Sequence, residues 1–411
     1  MWITPEAHLP ESRPDTLAVH AGRLEIPVNT ASSPPLFQAS SYEFDDLDEV
    51  ERVYSGESAG RIYGRYGGPN GAQFESALAE LEGAESAAGA AAGMSAIDAA
   101  LATLLAGGGG LLAGRELYGG TSALLENDYR KAGVRVEYVD QSDLDAVEAA
   151  LERSRPKVLY VEALTNPLLH VADLPALGRL ARGNGARLVV DATFATPVLL
   201  RALDHGADLV VHSVGKYLGG HGDVGAGVLA GSADLVEPAR AYLVRRGAVI
   251  PHFEAWLALR GLRTLALRME RHSANARAVA AFLAGRAEVV AVHHPSLPAH
   301  PQHELSARLY PRGTGGMLAF DLAGGREAVA GFLGALRTVA VVHSLGEVAT
   351  TISYPPSASH RYVDPGARAS LGVGEGTLRL STGIEDVRDI LDDLSAAFAG
   401  LHGRVRATAE T

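Results

Sequence analysis

The length, composition and charge of the chain limit what it can be. With 411 residues, 47% of them hydrophobic, it can bury a large core and is long enough for two or three domains. The 48 acidic and 36 basic residues give a net charge of −12, which disfavours nucleic acid and anionic membranes as partners. The lack of cysteine excludes disulfides, thiolate metal ligands and a cysteine nucleophile, and it favours a cytoplasmic protein.

The first 65 residues predict an arm rather than a domain. The opening segment "MWITPEAHLPESRPDT" is polar and proline-broken, and it lacks the basic and apolar regions of a signal peptide. Residues 1–65 as a whole are rich in turn formers and show little periodicity. No later stretch reaches about 20 apolar residues without a charge, so the sequence predicts no membrane span.

Residues 66–260 alternate between helix and strand patterns. The segments "QFESALAELEGAES" and "SAIDAALATLLAG" have the periodicity of amphipathic helices. Short buried strands separated by such helices predict a mostly parallel sheet that is covered on both faces. The predicted strands are 111–113, 134–139, 157–162, 187–191, 208–212 and 226–230.

Residues 261–411 predict a smaller α+β domain. After the long helical stretch around residue 270, the segments "GGMLAFDL" and "GTLRLSTG" read as strands. Helical patterns cover approximately residues 326–337 and 385–400. The glycine cluster "AGGGG" near residue 110 predicts a loop ahead of a strand rather than a linker between domains.

Lysine is rare in this chain. It occurs at Lys131, Lys157 and Lys216, and arginine supplies the other basic residues. Lys216 directly follows a buried run and precedes the glycine-rich "YLGGHGDVGAG". Ligands of an open parallel sheet bind at the carboxyl ends of its strands. The sequence therefore predicts that Lys216 lies in the ligand-binding site, and the alternative is an ordinary surface lysine in a loop.

Other polar residues follow predicted strands in the same way. Asp191 ends one buried run, Ser213 follows the next, and Glu162 and Asn166 follow another. The sheet therefore brings a carboxylate, an amine, an amide and a hydroxyl toward one edge. Each could instead cap a turn or satisfy backbone groups of a loop.

An amine and a carboxylate beside a glycine-rich turn favour pyridoxal 5'-phosphate as cofactor. Lys216 would form the Schiff base, and Asp191 would keep the pyridine nitrogen protonated. Gly93 and Met94 begin a predicted helix, whose N–H groups and positive end suit the phosphate. Tyr118 follows a strand, where its ring could cover the cofactor. The alternatives are an ordinary helix start and a packed tyrosine.

Nine sequence blocks occur in a recognisable order and spacing along the chain. They are "YGRYGGPN", "AAGMSAIDA", "LYGGT", "EALTNPLL", "VVDATFATP", "HSVGKYLGGHGD", "GTGGMLAFDL", "SLGEVATTISYPPSASH" and "LRLSTGIED". From about residue 16 to 400 they resemble the cystathionine γ-synthase/γ-lyase family, the pyridoxal-phosphate enzymes of cysteine and methionine metabolism, which include methionine γ-lyases and O-acylhomoserine sulfhydrylases. The resemblance implies the fold type I, aspartate aminotransferase-like α/β fold, with a mostly parallel central sheet and a smaller α+β C-terminal domain.

The resemblance assigns roles to the strand-end residues. Lys216 matches the lysine that binds the cofactor covalently, and Asp191 matches the partner of the ring nitrogen. Tyr118 resembles a tyrosine that stacks on the ring and transfers protons. The phosphate binders are matched by Gly93, Met94 and Ser213.

The resemblance also implies residues that the strand pattern does not single out. Tyr63 and Arg65 match groups that reach the phosphate of a neighbouring subunit, so the active site would need a dimer, usually within a tetramer. The alternative is that they are solvated arm residues. Thr193 and Asn166 match residues beside the ring, and Ser344 and Arg379 match groups that hold the substrate α-carboxylate. Backbone, turn and salt-bridge roles remain open for these four.

Several positions depart from the family pattern around the cofactor. Ala91 and Ala92 stand where hydroxyl residues are frequent, and Gly215 replaces a threonine that commonly precedes the lysine. These changes predict weaker cofactor binding unless Arg65 or water compensates. Ala192 replaces a usual asparagine without removing a reactive group.

Two further departures bear on the substrate. Ala123 stands where members that take cystathionine or O-succinylhomoserine often have an arginine, so it favours a substrate with one carboxylate. Near Ser344, Glu347 replaces a glycine of the usual "SLGG", and Ala349 replaces an acidic residue. Glu347 could therefore face the substrate, but from a shifted position.

The function that this resemblance implies is α,γ-elimination from a sulfur amino acid, which yields 2-oxobutanoate, ammonia and a thiol. The alternative is γ-replacement, as in cystathionine γ-synthase or O-acylhomoserine sulfhydrylase. A non-catalytic relative would be expected to lose Lys216 or Asp191, and both are present. A nicotinamide oxidoreductase would need G-x-G-x-x-G after an early strand, whereas the glycine cluster "AGGGG" precedes its strand. The histidines of "HHPSLPAHPQH" are irregularly spaced and predict no metal site.

Overall fold

The protein is described by a computed structural model that covers residues 13–22, 31–58, 60–361 and 363–409. Most of the opening segment, on which the prediction about a signal peptide rests, lies outside the described residues. Within the described ranges, no helix combines the length and apolar character needed to cross a bilayer.

A seven-stranded sheet forms the larger part of the fold. Its strands are β1 (Ser86–Ala90), β2 (Gly110–Gly114), β3 (Arg135–Val139), β4 (Val158–Glu162), β5 (Arg187–Asp191), β6 (Leu209–Ser213) and β7 (Gly227–Gly231). Their spatial order is β1-β7-β6-β5-β4-β2-β3. Strands β2 to β6 pair in parallel, whereas β7 runs antiparallel to both β6 and β1. The mostly parallel sheet is therefore confirmed, with β7 as its reversed strand.

Strand β1 was absent from the sequence-based expectation. The sequence predicts a helix from Gln73 to Ser86. The helix in fact ends at Glu82, and Gly83 follows it in a left-handed conformation. The strand that follows reads "SAAGA" and contains neither β-branched nor aromatic residues. Its strand conformation depends on pairing with β7 rather than on intrinsic propensity.

Helices cover both faces of the sheet. Alternate side chains of the central strands enter two different core clusters: Leu159 and Val161 belong to one, and Val158 and Tyr160 to the other. The helices up to this point in the chain are α1 (Pro14–His20), α2 (Leu47–Tyr54), α3 (Pro69–Glu82), α4 (Gly93–Leu104), α5 (Gly119–Leu124), α6 (Leu144–Ser154), α7 (Leu174–Gly183), α8 (Thr196–Leu199), α9 (Ala233–Arg246), α10 (His252–Leu262) and α11 (Leu265–Ala284).

A second sheet follows α11 in the chain. Its strands are β8 (Val289–His293), β9 (Met317–Leu322), β10 (Ala340–Val341), β11 (Thr351–Ser353) and β12 (Thr377–Ser381), in the order β10-β11-β12-β9-β8. The remaining helices are α12 (His303–Leu309), α13 (Gly325–Leu333), α14 (Pro365–Ser370) and α15 (Val387–Ala409). This sheet has its own core, built around Phe320, Phe332 and Phe398. The domain boundaries at 65/66 and 260/261 stay predictions, and the second of them falls within α10.

Replacing Phe332 by alanine should destabilise the unit around the second sheet. Its fully buried ring lies 4.8 Å from the ring centroid of Phe398 and 5.9 Å from that of Phe320. Truncating such a side chain costs about 3–5 kcal/mol of unfolding free energy. In urea denaturation, the midpoint of the unfolding transition should therefore fall at a lower urea concentration. The control Leu267→Ala, at 69% exposure, should change stability by less than about 0.5 kcal/mol. An unchanged midpoint for Phe332→Ala would contradict this packing.

Candidate active site

The register of the larger sheet brings several strand ends to one edge. Glu162 pairs with Asp191 across β4 and β5, so these two carboxyls end neighbouring strands. Because β7 is reversed, β1 and β6 run in the same direction on either side of it, and Ala90 and Ser213 both pair with Gly227. The loop after β1 therefore leads into α4 beside the end of β6.

The start of α4 and the end of β6 form a cradle suited to an anion. A methyl group built on Gly93 would lie 2.9 Å from Ser213 Cβ and 3.1 Å from its Oγ, so the two residues are in close approach. The first N–H groups of a helix, here those of Gly93 and Met94, have no acceptor within the helix. Together with the Ser213 hydroxyl, they suit a phosphate.

Lys216 lies partly buried in the turn after β6. Its Nζ donates a hydrogen bond of 3.1 Å to Ser344 Oγ. Burial, aided by the positive charge of Arg379, lowers the pKa of the Lys216 amine, and the negative charge of Glu347 opposes this effect. A lowered pKa makes the neutral, nucleophilic amine more available.

The two other lysines have different surroundings. Lys131 Nζ donates to Asn127 Oδ1 on an exposed helical surface, and Lys157 Nζ donates to the exposed carbonyl of Ala106. Lys216 is therefore the lysine that the fold encloses.

The backbone packing around position 215 explains why it is a glycine in this chain. A methyl group at this position would overlap with the carbonyl oxygen of Val224, which lies across the glycine-rich turn. The threonine that is common in the resembling family would therefore displace this segment. The close approach of the Val224 carbonyl therefore explains why this chain has glycine at position 215.

The carboxylate of Asp191 is held by the residues that follow it. Its Oδ1 accepts a hydrogen bond of 2.9 Å from the backbone N–H of Thr193. Burial raises the pKa of the Asp191 carboxyl, whereas these hydrogen bonds and the charge of His212 lower it. Thr193 Oγ1 also accepts from the Ser213 N–H at 2.9 Å, so the backbone role left open for Thr193 is present. This bond ties the ends of β5 and β6 together.

Glu162 joins two loops that carry predicted site residues. Its Oε1 accepts from the backbone N–H of Tyr118 at 2.5 Å, and its Oε2 accepts from that of Asn166 at 3.2 Å. Burial, followed by the charge of Asp191, raises the pKa of Glu162 well above its usual value. Sequence reasoning noted Glu162 as a strand-end residue but gave it no site role. The ring of Tyr118 is 46% exposed at the start of α5 and is free to meet a ligand.

Arg379, in β12, is a buried cation with neutral partners. Its Nη1 donates to Asn166 Oδ1 at 3.1 Å and its Nη2 to the Ser344 carbonyl at 3.3 Å. Burial lowers the pKa of its guanidinium to about 10, so it stays charged at neutral pH. Within the described part of the chain, Arg379 forms no ion pair. A substrate carboxylate would supply the missing charge.

Tyr63 and Arg65 have partners elsewhere. Arg65 Nη1 donates to the Val244 carbonyl in α9 at 3.1 Å, and its guanidinium carbon lies 4.8 Å from the ring centroid of Tyr66. Tyr63 is 47% exposed and forms a β-bridge with Ser41. Their reach toward a neighbouring subunit stays a prediction.

The histidine-rich loop forms internal hydrogen bonds. His294 Nδ1 pairs with Ser296 Oγ at 2.7 Å, and His303 Nδ1 pairs with the Pro295 carbonyl at 3.0 Å. Across the described ranges, no group of three or more metal-ligating side chains is close enough to hold an ion.

Known proteins match almost the whole chain. The sequence profile of the family described as "Cys/Met metabolism PLP-dependent enzyme" matches residues 15–399. The chain is 41% identical to L-methionine gamma-lyase of Pseudomonas putida, over 93% of this chain and 96% of that protein. It is 39% identical to O-succinylhomoserine sulfhydrylase of Pseudomonas aeruginosa, over 94% and 95%. The crystal structure of cystathionine gamma synthase from Xanthomonas oryzae pv. oryzae in complex with aminoacrylate and cysteine has a TM-score of 0.90 at 36% identity, covering 97% of this chain and 100% of that chain.

The fold and these matches define an α/β enzyme of the pyridoxal-phosphate fold type I. The chain belongs to the family of Cys/Met metabolism PLP-dependent enzymes. The residues at the sheet edge fit this cofactor, because a helix start with a serine, an enclosed amine and a carboxylate are all present. The chain is thus an enzyme of sulfur amino acid metabolism, and its family carries out γ-elimination and γ-replacement.

Replacing Gly93 by alanine should weaken cofactor binding. The added methyl group would push α4 away from Ser213 and open the cradle. We expect the dissociation constant of pyridoxal phosphate to rise at least about tenfold, which corresponds to about 1.4 kcal/mol. Equilibrium dialysis measures this constant. Gly183→Ala, in α7 with no atom within 4 Å of the new methyl group, is the matched control. Equal affinities for the two variants would refute the cradle.

Replacing Glu347 by glutamine should change the pH dependence of Lys216. The Glu347 charge raises the pKa of the amine, so its removal should lower that pKa further. Neutral amine is then available at lower pH, and covalent attachment of pyridoxal phosphate to the stripped protein should shift to lower pH. Borohydride trapping at a series of pH values measures the shift. Glu148→Gln, on the exposed face of α6, is the control. A shift to higher pH would contradict the statement that the Glu347 charge raises the pKa of the Lys216 amine.

Proposed function

We propose that this enzyme catalyses γ-elimination from a sulfur amino acid, as methionine and cystathionine γ-lyases do, and releases 2-oxobutanoate, ammonia and a thiol. The observation that carries the proposal is the pairing of Lys216 and Arg379 through Ser344, whose Oγ accepts from the amine and whose carbonyl accepts from the guanidinium. A proton-transfer group and a carboxylate-binding group therefore lie at one site. The 41% identity to L-methionine gamma-lyase of Pseudomonas putida supports elimination.

Substrate orientation begins at Arg379. Its planar guanidinium suits a bidentate grip on the α-carboxylate, and the contacts with Asn166 and Ser344 hold its plane in position. A substrate held in this way would lie beside Lys216, because Ser344 contacts both the lysine and the arginine. Orientation of this kind contributes a large part of catalysis, because it replaces a chance encounter by a fixed geometry.

Proton transfer falls to Lys216 and Tyr118. The lowered pKa of Lys216 makes its Nζ more available to accept the α-proton. Bound pyridoxal phosphate supplies an electron sink that delocalises the charge left on the α-carbon. The Asp191 carboxylate would hold the ring nitrogen of the cofactor in its protonated form, and the hydroxyl of the exposed Tyr118 would donate a proton to the departing thiolate.

The side chain at position 123 narrows the substrate class. Ala123 lies exposed on α5, five residues after Tyr118, and it offers no charge to a distal carboxylate. The proposed substrates are therefore amino acids whose γ-substituent is a neutral thiol or thioether. Methionine and homocysteine fit this description better than cystathionine.

The proposal includes a shared active site in the cytoplasm. Residues 1–65 form an arm, residues 66–260 the cofactor domain and residues 261–411 the smaller domain. Tyr63 and Arg65 would hold the cofactor phosphate of a neighbouring subunit, an arrangement that requires a dimer and allows a dimer of dimers. Exposed aromatic residues beside this segment, among them Tyr66 and Phe253, are available for such a contact.

Gamma-replacement is the second candidate. It is favoured by the 39% identity to O-succinylhomoserine sulfhydrylase of Pseudomonas aeruginosa. Both reactions use the same groups up to departure of the γ-substituent. They differ in whether water or a thiol completes the reaction.

Replacing Lys216 by alanine should abolish turnover, with a fall in kcat of at least about 10³-fold. The purified wild-type protein should be yellow, and borohydride should fix the cofactor to Lys216. Peptide mapping checks the position, with Lys157→Ala as control because that amine lies on the surface. Near-normal turnover by Lys216→Ala would end the proposal.

A substrate panel distinguishes the two reactions. Methionine, homocysteine, cystathionine, cysteine and O-acylhomoserines are tested with and without sulfide, and 2-oxobutanoate, pyruvate and new amino acids are measured. Release of 2-oxobutanoate from methionine without sulfide supports elimination. Product formation that requires an O-acylhomoserine and sulfide supports replacement, and a strong preference for cystathionine contradicts the inference from Ala123.

A further inference from the structure

Arg268 is a buried arginine for which the proposed mechanism has no use. It lies in α11, is 3% exposed, and uses its N–H groups on neutral oxygens. Its Nη1 donates to the Tyr217 carbonyl at 2.6 Å, and its Nη2 donates to the carbonyls of Gly261 at 2.7 Å and Leu218 at 3.3 Å. Its Nε donates to Thr264 Oγ1 at 3.1 Å. Among the described residues, Arg268 forms no ion pair.

A buried charge of this kind is not explained by stability. Burial lowers the pKa of the Arg268 guanidinium to about 10, which shows that the interior disfavours its charged form. Apolar residues of similar volume often stabilise a protein as well as a buried ion does, or better. The partners of Arg268 therefore indicate what it does.

Its partners converge on the turn that carries Lys216. The carbonyls of Tyr217 and Leu218 belong to the two residues directly after the lysine, and Gly261 lies in the last turn of the neighbouring helix α10. Gly220 closes the turn with a φ of +77°, and a methyl group there would overlap with the Arg268 guanidinium. The turn is thus folded around the guanidinium.

The chemistry of the side chain matches this geometry. A guanidinium is planar and has five N–H donors in a fixed fork, so it can satisfy three carbonyls at once. A lysine ammonium is a point charge on a flexible stem and cannot hold the same three oxygens in one plane. The arrangement therefore requires arginine in particular.

We infer that Arg268 is a positioning residue, which holds the Tyr217 and Leu218 carbonyls and thereby orients Lys216 Nζ toward the cofactor and substrate. The inference rests on the proposed function of Lys216 as the lysine that binds the cofactor and moves the α-proton. Arg268 acts through the backbone and touches neither ligand. A misplacement of about 1 Å at a reacting group can cost about 100-fold in rate.

The test compares three variants of the complete holoenzyme. Arg268→Met removes the fork and keeps the bulk, and Arg268→Lys keeps the charge without the fork. Asn275→Leu is the matched control, because Asn275 is also buried in α11 and donates to two carbonyls, those of Gly383 and Glu385, but to none of the Lys216 turn.

Arg268→Met should lower kcat roughly 10- to 100-fold, because Lys216 is no longer held in place. KM should stay within about twofold, because the carboxylate site at Arg379 is intact. Arg268→Lys should lose activity as well, though less. Asn275→Leu should lower the melting temperature and leave kcat near the wild-type value.

Hydrogen exchange supplies a readout that does not depend on activity. In both the holoenzyme and the protein stripped of cofactor, the backbone amides of residues 214–222 should exchange at least about tenfold faster in Arg268→Met. Peptides from α4 should be unchanged, and Asn275→Leu should leave residues 214–222 as in the wild type.

Several results would overturn the inference. They are wild-type kcat in Arg268→Lys, equal loss of kcat in Arg268→Met and Asn275→Leu, or unchanged exchange over residues 214–222. A failure of the proposed function looks different, because Lys216→Ala would then remain active. If Lys216→Ala is inactive and Arg268→Met is fully active, the proposed function stands and only the positioning role of Arg268 is refuted.

Discussion

The reversed strand β7 is the constraint on which the site depends. Pairing antiparallel to both β6 and β1, it makes these two strands run in the same direction and end opposite Gly227. The helix α4 must then start beside Ser213. The parallel pairing of β4, β5 and β6 adds Glu162 and Asp191 at the same edge. Were β7 antiparallel to only one of these two strands, β1 would end at the opposite edge of the sheet, and the start of α4 would not meet the strand ends where the amine and the carboxylate lie.

Both sheets contribute to the surroundings of Lys216. The larger sheet supplies the strand that leads to the lysine, whereas Arg379 lies in β12 of the second sheet and Ser344 in the loop between β10 and β11. The positive charge of Arg379 and the negative charge of Glu347 act on the pKa of the Lys216 amine in opposite directions. The pKa of the Lys216 amine therefore depends on residues more than 120 positions away in the chain.

Most of the larger sheet could be predicted from the sequence, which also marks the candidate site residues at its strand ends. Six strands of the larger sheet were recognisable because buried parallel strands are short aliphatic runs, and Lys216 and Asp191 because polar residues at their ends are conspicuous. Strand β1 was missed because "SAAGA" has no strand propensity of its own. The part played by Glu162 was missed because its partners are backbone N–H groups, and these leave no mark in the sequence.

The sequence by itself determined the family, the cofactor class, six strands of the larger sheet and the residue types available for chemistry. These follow from local patterns and ordered blocks, which a linear chain displays directly. The tertiary structure decided which groups meet: the approach of Val224 that excludes a side chain at Gly215, the neutral partners of Arg379, and the carbonyls gathered by Arg268. These contacts join residues distant in the chain through backbone atoms and packing, which residue identity alone does not encode.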